Sequence, residues 1–192
     1  SFEQFSGRMI SSGRVAKGRQ MMQRYGAVLA RIEQQFGVPA PVVVAIWGLE
    51  TDYGVVQGKI PALPALATLA YDCRRSAFFQ GQLLDALRVI QRGDLSPQQM
   101  RGAWAGEIGQ AQFMPSSYYR FAVDFDGSGH ADLINSPVDV LASIANYLRG
   151  YGWQRGAGWG PGQPNFRVIK EWNKADVYAR TIALFADKLA AR

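Results

Sequence analysis

The sequence predicts a mainly α-helical fold in a single domain, residues 1–192, with at most a small β element. Three observations predict it. Apolar residues recur at three- and four-residue spacing through most of the chain. A strand-like run is confined to "FRVIK" at 166–170. No repeat or linker divides the 192 residues, a length that suits one domain with a substantial core.

The elements follow in order. Arg19 to Phe36 reads as one amphipathic helix, with Met22, Ala27, Leu29, Ile32 and Phe36 near one face. "GVPAP" at 37–41 is a turn. Pro41 suits a first helical turn, where the donor it lacks would be unpaired anyway. Val42 to Leu49 then reads as a buried helix, with Gly54 as a stop beyond it. "GKIPALPAL" at 58–66 is a Pro-punctuated loop. Pro64–Cys73 and Phe78–Arg92 read as helices, the second with Phe79, Leu83, Leu84, Leu87 and Ile90 as its apolar stripe. "DLSPQQM" at 94–100 is a helix start, with Ser96 as cap and Pro97 at the first position. Val138–Tyr151 is another apolar helix. "QRGAGWGPGQPN" at 154–165 is too rich in Gly and Pro for a regular element. "FRVIK" reads as a short strand, and Asp176–Ala191 as a terminal helix.

The composition excludes several classes. No apolar run reaches membrane-spanning length. The opening "SFEQFSGRMISSGR" has no Met and no apolar leader, which reads as a processed or trimmed start. The net charge is +6, but the Lys and Arg are scattered, and no nucleic-acid-binding motif is present. Cys73 stands alone, so there is no internal disulfide and no Cys-based zinc site. It reads as a small core residue. His130 is the single His, and it lies in a loop of a different kind from a catalytic triad.

"PVVVAIWGLETDYG", residues 41–54, holds the first candidate catalytic residue. Helical spacing puts Glu50 on the face of Trp47, Ile46 and Val43. A carboxyl there needs a partner, a proton or a cleft. Apolar neighbours, the negative helix end and the nearby charge of Asp52 should all raise its pKa. That suits a general acid, though a solvated or Arg-paired helix end has the same sequence pattern.

The second informative stretch runs from Gly106 to Asp139. Asp124, Asp126, Ser128 and His130 occupy alternate positions of an EF-hand-type loop, His130 through its backbone carbonyl. Gly129 sits where the sharp turn needs it. Asn135 stands where a bidentate Glu closes such a loop, so Asp139 is expected to close a longer one over 124–139, with Asp132 a weaker candidate. An all-oxygen set points to a hard cation such as Ca²⁺ in a structural role.

The Glu50 segment, with "GQAQFMPSSY", "DFDGSGHADL", "ANYLRGYGW" and "WNKADVYA", resembles the membrane-bound lytic transglycosylase B family of bacterial peptidoglycan-cleaving enzymes. The similarity runs in order from about Tyr25 to the C-terminus. It implies a lysozyme-like α-rich fold with a glycan groove, and a periplasmic location. It implies Glu50 as the catalytic acid. It places Gln112, Tyr147, Asn173 and Tyr178 along the groove as substrate-binding residues, and it matches residues 124–139 to a cation site. The implied partner is the peptidoglycan glycan strand, bound by a monomer. Any membrane anchor would sit on a segment outside this chain. No cofactor is implied for the chemistry. Two departures stand out. Relatives often place a Ser that hydrogen-bonds the catalytic Glu where this chain has Ala103, and Glu107 stands where they often have Ala.

Asp52 is two residues from Glu50 and so points to another side of the helix, which argues against a paired-carboxyl glycosidase. The resemblance implies cleavage between N-acetylmuramic acid and N-acetylglucosamine by Glu50 alone, with closure of a 1,6-anhydro ring. The rival readings are a goose-type lysozyme-like hydrolase, with Glu107 or Asp52 holding a water, and a non-catalytic, cation-dependent glycan-binding module. Trp172 reads equally as a sugar-stacking ring or as core.

Overall fold

The computed structural model describes residues 1–72 and 74–191. Cys73, expected in the core, lies outside them. The elements run α1 (Phe2–Met9), α2 (Ser12–Arg24), α3 (Gly26–Phe36), α4 (Ala40–Thr51), β1 (Ile60–Pro61), α5 (Ala62–Tyr71), α6 (Ser76–Arg92), β2 (Arg101–Gly102), α7 (Pro115–Phe121), α8 (Pro137–Gly150), α9 (Phe166–Trp172) and α10 (Asp176–Ala190). The mainly α expectation holds, with one two-stranded antiparallel ribbon among the described residues. The chain forms two compact units, one of residues 1–53 and 144–192, the other of 54–143.

In the first unit α10 packs on α4, and α1, α2 and α9 pack on α10. Val42 to Leu49 of α4 are all buried, so this helix has no solvent face. The buried residues of α10 include Ile182, Phe185 and Leu189. Tyr53, just past α4, folds its ring back edge-on to Trp47, 5.5 Å between centroids. A Cβ on Gly48 would come within 2.7 Å of that ring, and one on Gly18 of α2 within 2.6 Å of its hydroxyl. These glycines are the room that Tyr53 occupies, and its hydroxyl donates to the Arg14 carbonyl at 2.6 Å.

The single helix expected over 19–36 is two. The chain breaks at Tyr25, whose backbone leaves the helical region while its ring meets Trp47 edge-on at 5.9 Å. "FRVIK" is also a correction, because it forms most of α9 rather than a strand. Its only consecutive β-branched residues, Val168 and Ile169, are both buried on the helix. Asn165 before it is fully buried, and its side chain holds the preceding loop through Gln154 N, Gln154 O and Ala157 O.

In the second unit α5 and α7 pack on α6, and β1 pairs with β2, Ile60 opposite Gly102. The α6 stripe is rotated from the expected one. Phe79, Gln82, Ala86 and Val89 are buried, while Leu84 and Leu87 are exposed. Gln82 faces inward because its amide bonds both the hydroxyl and the backbone N–H of Ser116, at 2.9 Å each. That pairing holds the first turn of α7. The helix expected after Ser96 is a single turn. Ser96 Oγ accepts from Gln99 N and Gln99 Oε1 accepts from Ser96 N, a complete capping box with no helix behind it.

Candidate active site

Glu50 lies in the last turn of α4, half-buried at the end of the apolar run. Two side chains of its own unit converge on one of its oxygens. Trp172 Nε1, at the end of α9, donates to Oε1 at 2.8 Å. The Tyr178 hydroxyl, in the first turn of α10, donates to the same atom at 2.9 Å. Burial pushes the Tyr178 hydroxyl far above its ordinary range, and the charge of Glu50 adds to that shift. Tyr178 therefore stays a neutral donor. Its ring also packs against Phe5 of α1 at 6.2 Å.

Asp52 is held apart from this arrangement. It takes a left-handed backbone, φ 50°, as the cap of α4, and its carboxylate pairs with Arg14 Nε at 3.5 Å. The like charge expected beside Glu50 is thus offset by a cation. Tyr147 donates its hydroxyl to the Glu171 carbonyl at 2.8 Å and packs edge-on against Trp172 at 4.8 Å. It buttresses a ring that bonds the carboxyl. Asn173 accepts from Ala175 N at 3.0 Å, closing the turn between α9 and α10 that carries Trp172 and Tyr178.

Sequence reasoning missed Trp172 as a hydrogen-bond donor to Glu50. The two residues are 122 apart, and no spacing rule connects them. The weak signal was its place in "EWNKADVY", next to residues already singled out.

The remaining candidates lie in the second unit. Gln112 has a strained positive φ of 52°, and its Nε2 donates to the Gln57 and Gly109 carbonyls at 2.8 Å each. Glu107 Oε2 accepts from Ala105 N at 3.1 Å inside its own turn.

The acidic loop brings one oxygen from each of Asp124, Asp126 and Asp139 within 4.8 Å of one another. Asp139 is fully buried and accepts from the backbone N–H groups of Phe125, Asp126 and Asp132. Burial, with the charge of Asp126 adding, pushes its carboxyl above the ordinary range despite those donors. Ser136 Oγ, at 2.6 Å, holds the Asp126 carboxyl below it. Ser128 donates to the His130 carbonyl at 3.1 Å, and Gly129, φ 104°, makes the turn. The Asp132 carboxylate instead caps Ile134 N and Asn135 N, both at 2.9 Å. Three convergent carboxylates, one of them buried, fit a hard cation.

Comparison with known proteins adds to this geometry. The Transglycosylase SLT domain family matches residues 1–162. The chain belongs to this family. Membrane-bound lytic murein transglycosylase B of Escherichia coli strain K12 is 40% identical over 166 residues, which are 82% of this chain and 46% of the relative. The chain therefore spans about half the length of that curated relative. SltB3 from Pseudomonas aeruginosa, in a crystal structure with NAG-anhNAM-pentapeptide, superposes with a TM-score of 0.93 at 31% identity, over 100% of this chain and 67% of that one. The E. coli lytic transglycosylase Slt35, in a structure with calcium, gives 0.89 at 30%, over 98% and 78%. The fold is therefore the lysozyme-like one of these transglycosylases. The family match stops before Trp172 and Tyr178, whereas the SltB3 superposition includes them.

Proposed function

We propose that this chain is a lytic transglycosylase that cleaves the β-1,4 bond between N-acetylmuramic acid and N-acetylglucosamine in peptidoglycan. The observation that carries the reading is the carboxyl of Glu50, oriented through Oε1 by Trp172 and Tyr178, while the neighbouring Asp52 pairs with Arg14. Classical retaining glycosidases need a second carboxyl about 5 Å away. A single oriented acid suits a reaction in which the substrate supplies its own nucleophile.

The roles follow from the chemistry. Glu50 enters the reaction in its acid form, with one proton on its carboxyl. Glu50 gives that proton to the glycosidic oxygen as the C1–O bond breaks. The acetamido carbonyl of the same muramic residue stabilises C1. The Glu50 carboxylate then takes the proton of the C6 hydroxyl as O6 closes on C1. The proton returns to Glu50, no water is consumed, and the product ends in 1,6-anhydromuramic acid.

The rest of the reading is consistent with this. Residues 1–192 act as one catalytic domain. Tyr147, Asn173 and Tyr178 are the substrate-binding residues proposed in the first unit, and Gln112 is the one proposed in the second. Asp124, Asp126 and Asp139, with Ser128 and the His130 carbonyl, would hold a structural Ca²⁺, which supplies cross-linking charge to a long loop and no step of the reaction. The chain works on glycan strands in the bacterial periplasm as a monomer, with any membrane anchor on another segment of the protein. Mass spectrometry of the products on purified sacculi tests the reading. Anhydro ends are lighter than reducing ends by one water, and reducing ends as the main product would overturn it.

A further inference from the structure

The cations of this chain are scattered, but its acids are not. Residues 4–32 contain Arg8, Arg14, Lys17, Arg19, Arg24 and Arg31, and no Asp or Glu. The other fifteen Lys and Arg are matched by all fifteen Asp and Glu, so this stretch carries the whole net charge of +6. Charge of one sign gathered on one part of a surface attracts a partner of the other sign.

The packing of α2 sorts these cations. Gly18 is its buried contact, where a Cβ would meet the Tyr53 hydroxyl at 2.6 Å and Leu189 at 2.8 Å. Arg14 pairs with Asp52, and Lys17 lies 5.5 Å from the centre of the Tyr53 ring. Helical spacing puts Ser12, Ala16, Arg19 and Gln23 on another side of α2, and all four are exposed. Arg19 meets a further cation there. Its Nη2 donates to the Lys188 carbonyl of α10 at 3.0 Å, which fixes the guanidinium at the end of that helix. Arg8 is exposed in the last turn of α1, and Arg24 in the last turn of α2. Arg8, Arg19, Arg24 and Lys188 have no acidic partner among the described residues.

A cleft of about 360 Å³ lies here, lined by Ile10, Ser12, Val15, Ala16, Arg19 and Lys188. Half of its lining is aliphatic, and its only charges are the two cations. A fully hydrated polyanion gains nothing from the aliphatic half. A phospholipid headgroup uses both halves, its phosphate at the cations and its interfacial carbons at Ile10 and Val15.

We propose that the α1–α2 face, centred on Arg19 and Lys188, docks reversibly on an anionic phospholipid surface. Phosphates seat against Arg19 and Lys188, and Arg8 and Arg24 add attraction. The outer side of α2 is polar, so the contact stays at headgroup depth. It needs no membrane-spanning helix, and none is present among the described residues. It is also independent of glycan cleavage. Each Lys or Arg held near an anionic membrane tightens binding about fivefold, and salt screens the effect.

Flotation of the chain with vesicles of equal parts phosphatidylglycerol and phosphatidylcholine tests this, with pure phosphatidylcholine as the reference. Binding to the mixed vesicles only, weakening as salt rises, is the expected result. Arg19→Gln with Lys188→Gln should weaken it about twentyfold, from two cations at about fivefold each. Ala16→Glu with Gln23→Glu leaves both cations in place and sets two acids on the same exposed face. It should weaken binding at least as much, with a melting temperature close to wild type. Equal binding to both kinds of vesicle overturns the proposal, as does unchanged binding in both variants. Soluble polyglutamate bound as tightly as the mixed vesicles would make this a general polyanion site and overturn the lipid assignment.

Discussion

The Tyr178 hydroxyl lies 2.9 Å from Glu50 Oε1 and donates to it, although 128 residues separate the two in the chain. Together with Trp172 Nε1 on the same oxygen, it answers what orients the carboxyl in a chain whose residue 103 is Ala. Tyr178→Phe should therefore keep the fold and slow turnover. A hydrogen bond to a charged group contributes about 1.5–3 kcal/mol, so the loss should be tenfold or more in kcat. The donor favours the carboxylate over the acid. Without it Glu50 keeps its proton to higher pH, and the limb of the kcat profile that reports its ionisation should move upward. An unmoved profile would reduce Tyr178 to packing.

Glu50→Gln should abolish glycan cleavage while leaving the melting temperature close to wild type. The amide oxygen can accept from Trp172 and Tyr178 as the carboxylate does, so the local geometry survives. The amide cannot supply or take the proton, a loss of about 10²–10⁴-fold for acid–base catalysis alone. Release of soluble muropeptides from sacculi measures it, and near-normal release would remove Glu50 from the mechanism.

Asp52→Asn should change little. The carboxylate is partly exposed and its contact with Arg14 is 3.5 Å, so the pair stabilises by less than about 1 kcal/mol. Its side chain is committed to α2, away from any role as a second catalytic carboxyl. Loss of activity in Asp52→Asn with a normal melting curve would restore a two-carboxyl mechanism.

What was legible in the sequence follows the range of the forces involved. The end of α4 could be read because its signals are local: an apolar run, a carboxyl on the buried face, and Gly54 beyond. The acidic loop could be read for the same reason, since its alternate-position oxygens lie within a few residues of one another. α9 was not legible, because two adjacent β-branched residues outweighed a short helix that packing decides. The cap at Ser96 was genuine, but a capping box satisfies one turn as well as a long helix. On α6, Gln82 displaced a leucine from the buried face because Ser116 offered it two hydrogen bonds. Trp172 could not be paired with Glu50 by any local rule, since the fold alone brings them together.

Calcium should stabilise the protein, and by more as the pH rises. Asp139 has its pKa raised in the fold by burial and by Asp126, so ionising it costs stability that a nearby cation offsets. In chelator, this group's contribution is most favourable below its unfolded pKa of about 3.9. It is lost as pH rises through the higher folded value. The gap between melting temperatures with calcium and with chelator should widen over that window. At about 100 times the dissociation constant the stabilisation is about 2.7 kcal/mol. Asp124→Ala with Asp126→Ala should close the gap, and equal wild-type curves in both conditions would count against a bound cation.

Glu107 provides the sharpest separation between ring closure and hydrolysis. Its Oε2 accepts from Ala105 N at 3.1 Å, a bond within its own turn that a Gln side-chain oxygen can reproduce. Glu107→Gln should therefore fold normally. If Glu107 were a base that activates water, the variant should lose most of its activity, because an amide cannot take the proton. The wild type should then also release reducing muramic ends. If the C6 hydroxyl is the nucleophile, water has no part and Glu107 holds no catalytic proton. The variant should then retain most of its turnover, with anhydromuramic ends in both proteins. We expect the second outcome, because the fixed carboxyl of Glu50 can serve both proton transfers in turn. Reducing ends that disappear in Glu107→Gln would replace the transglycosylase reading with hydrolysis.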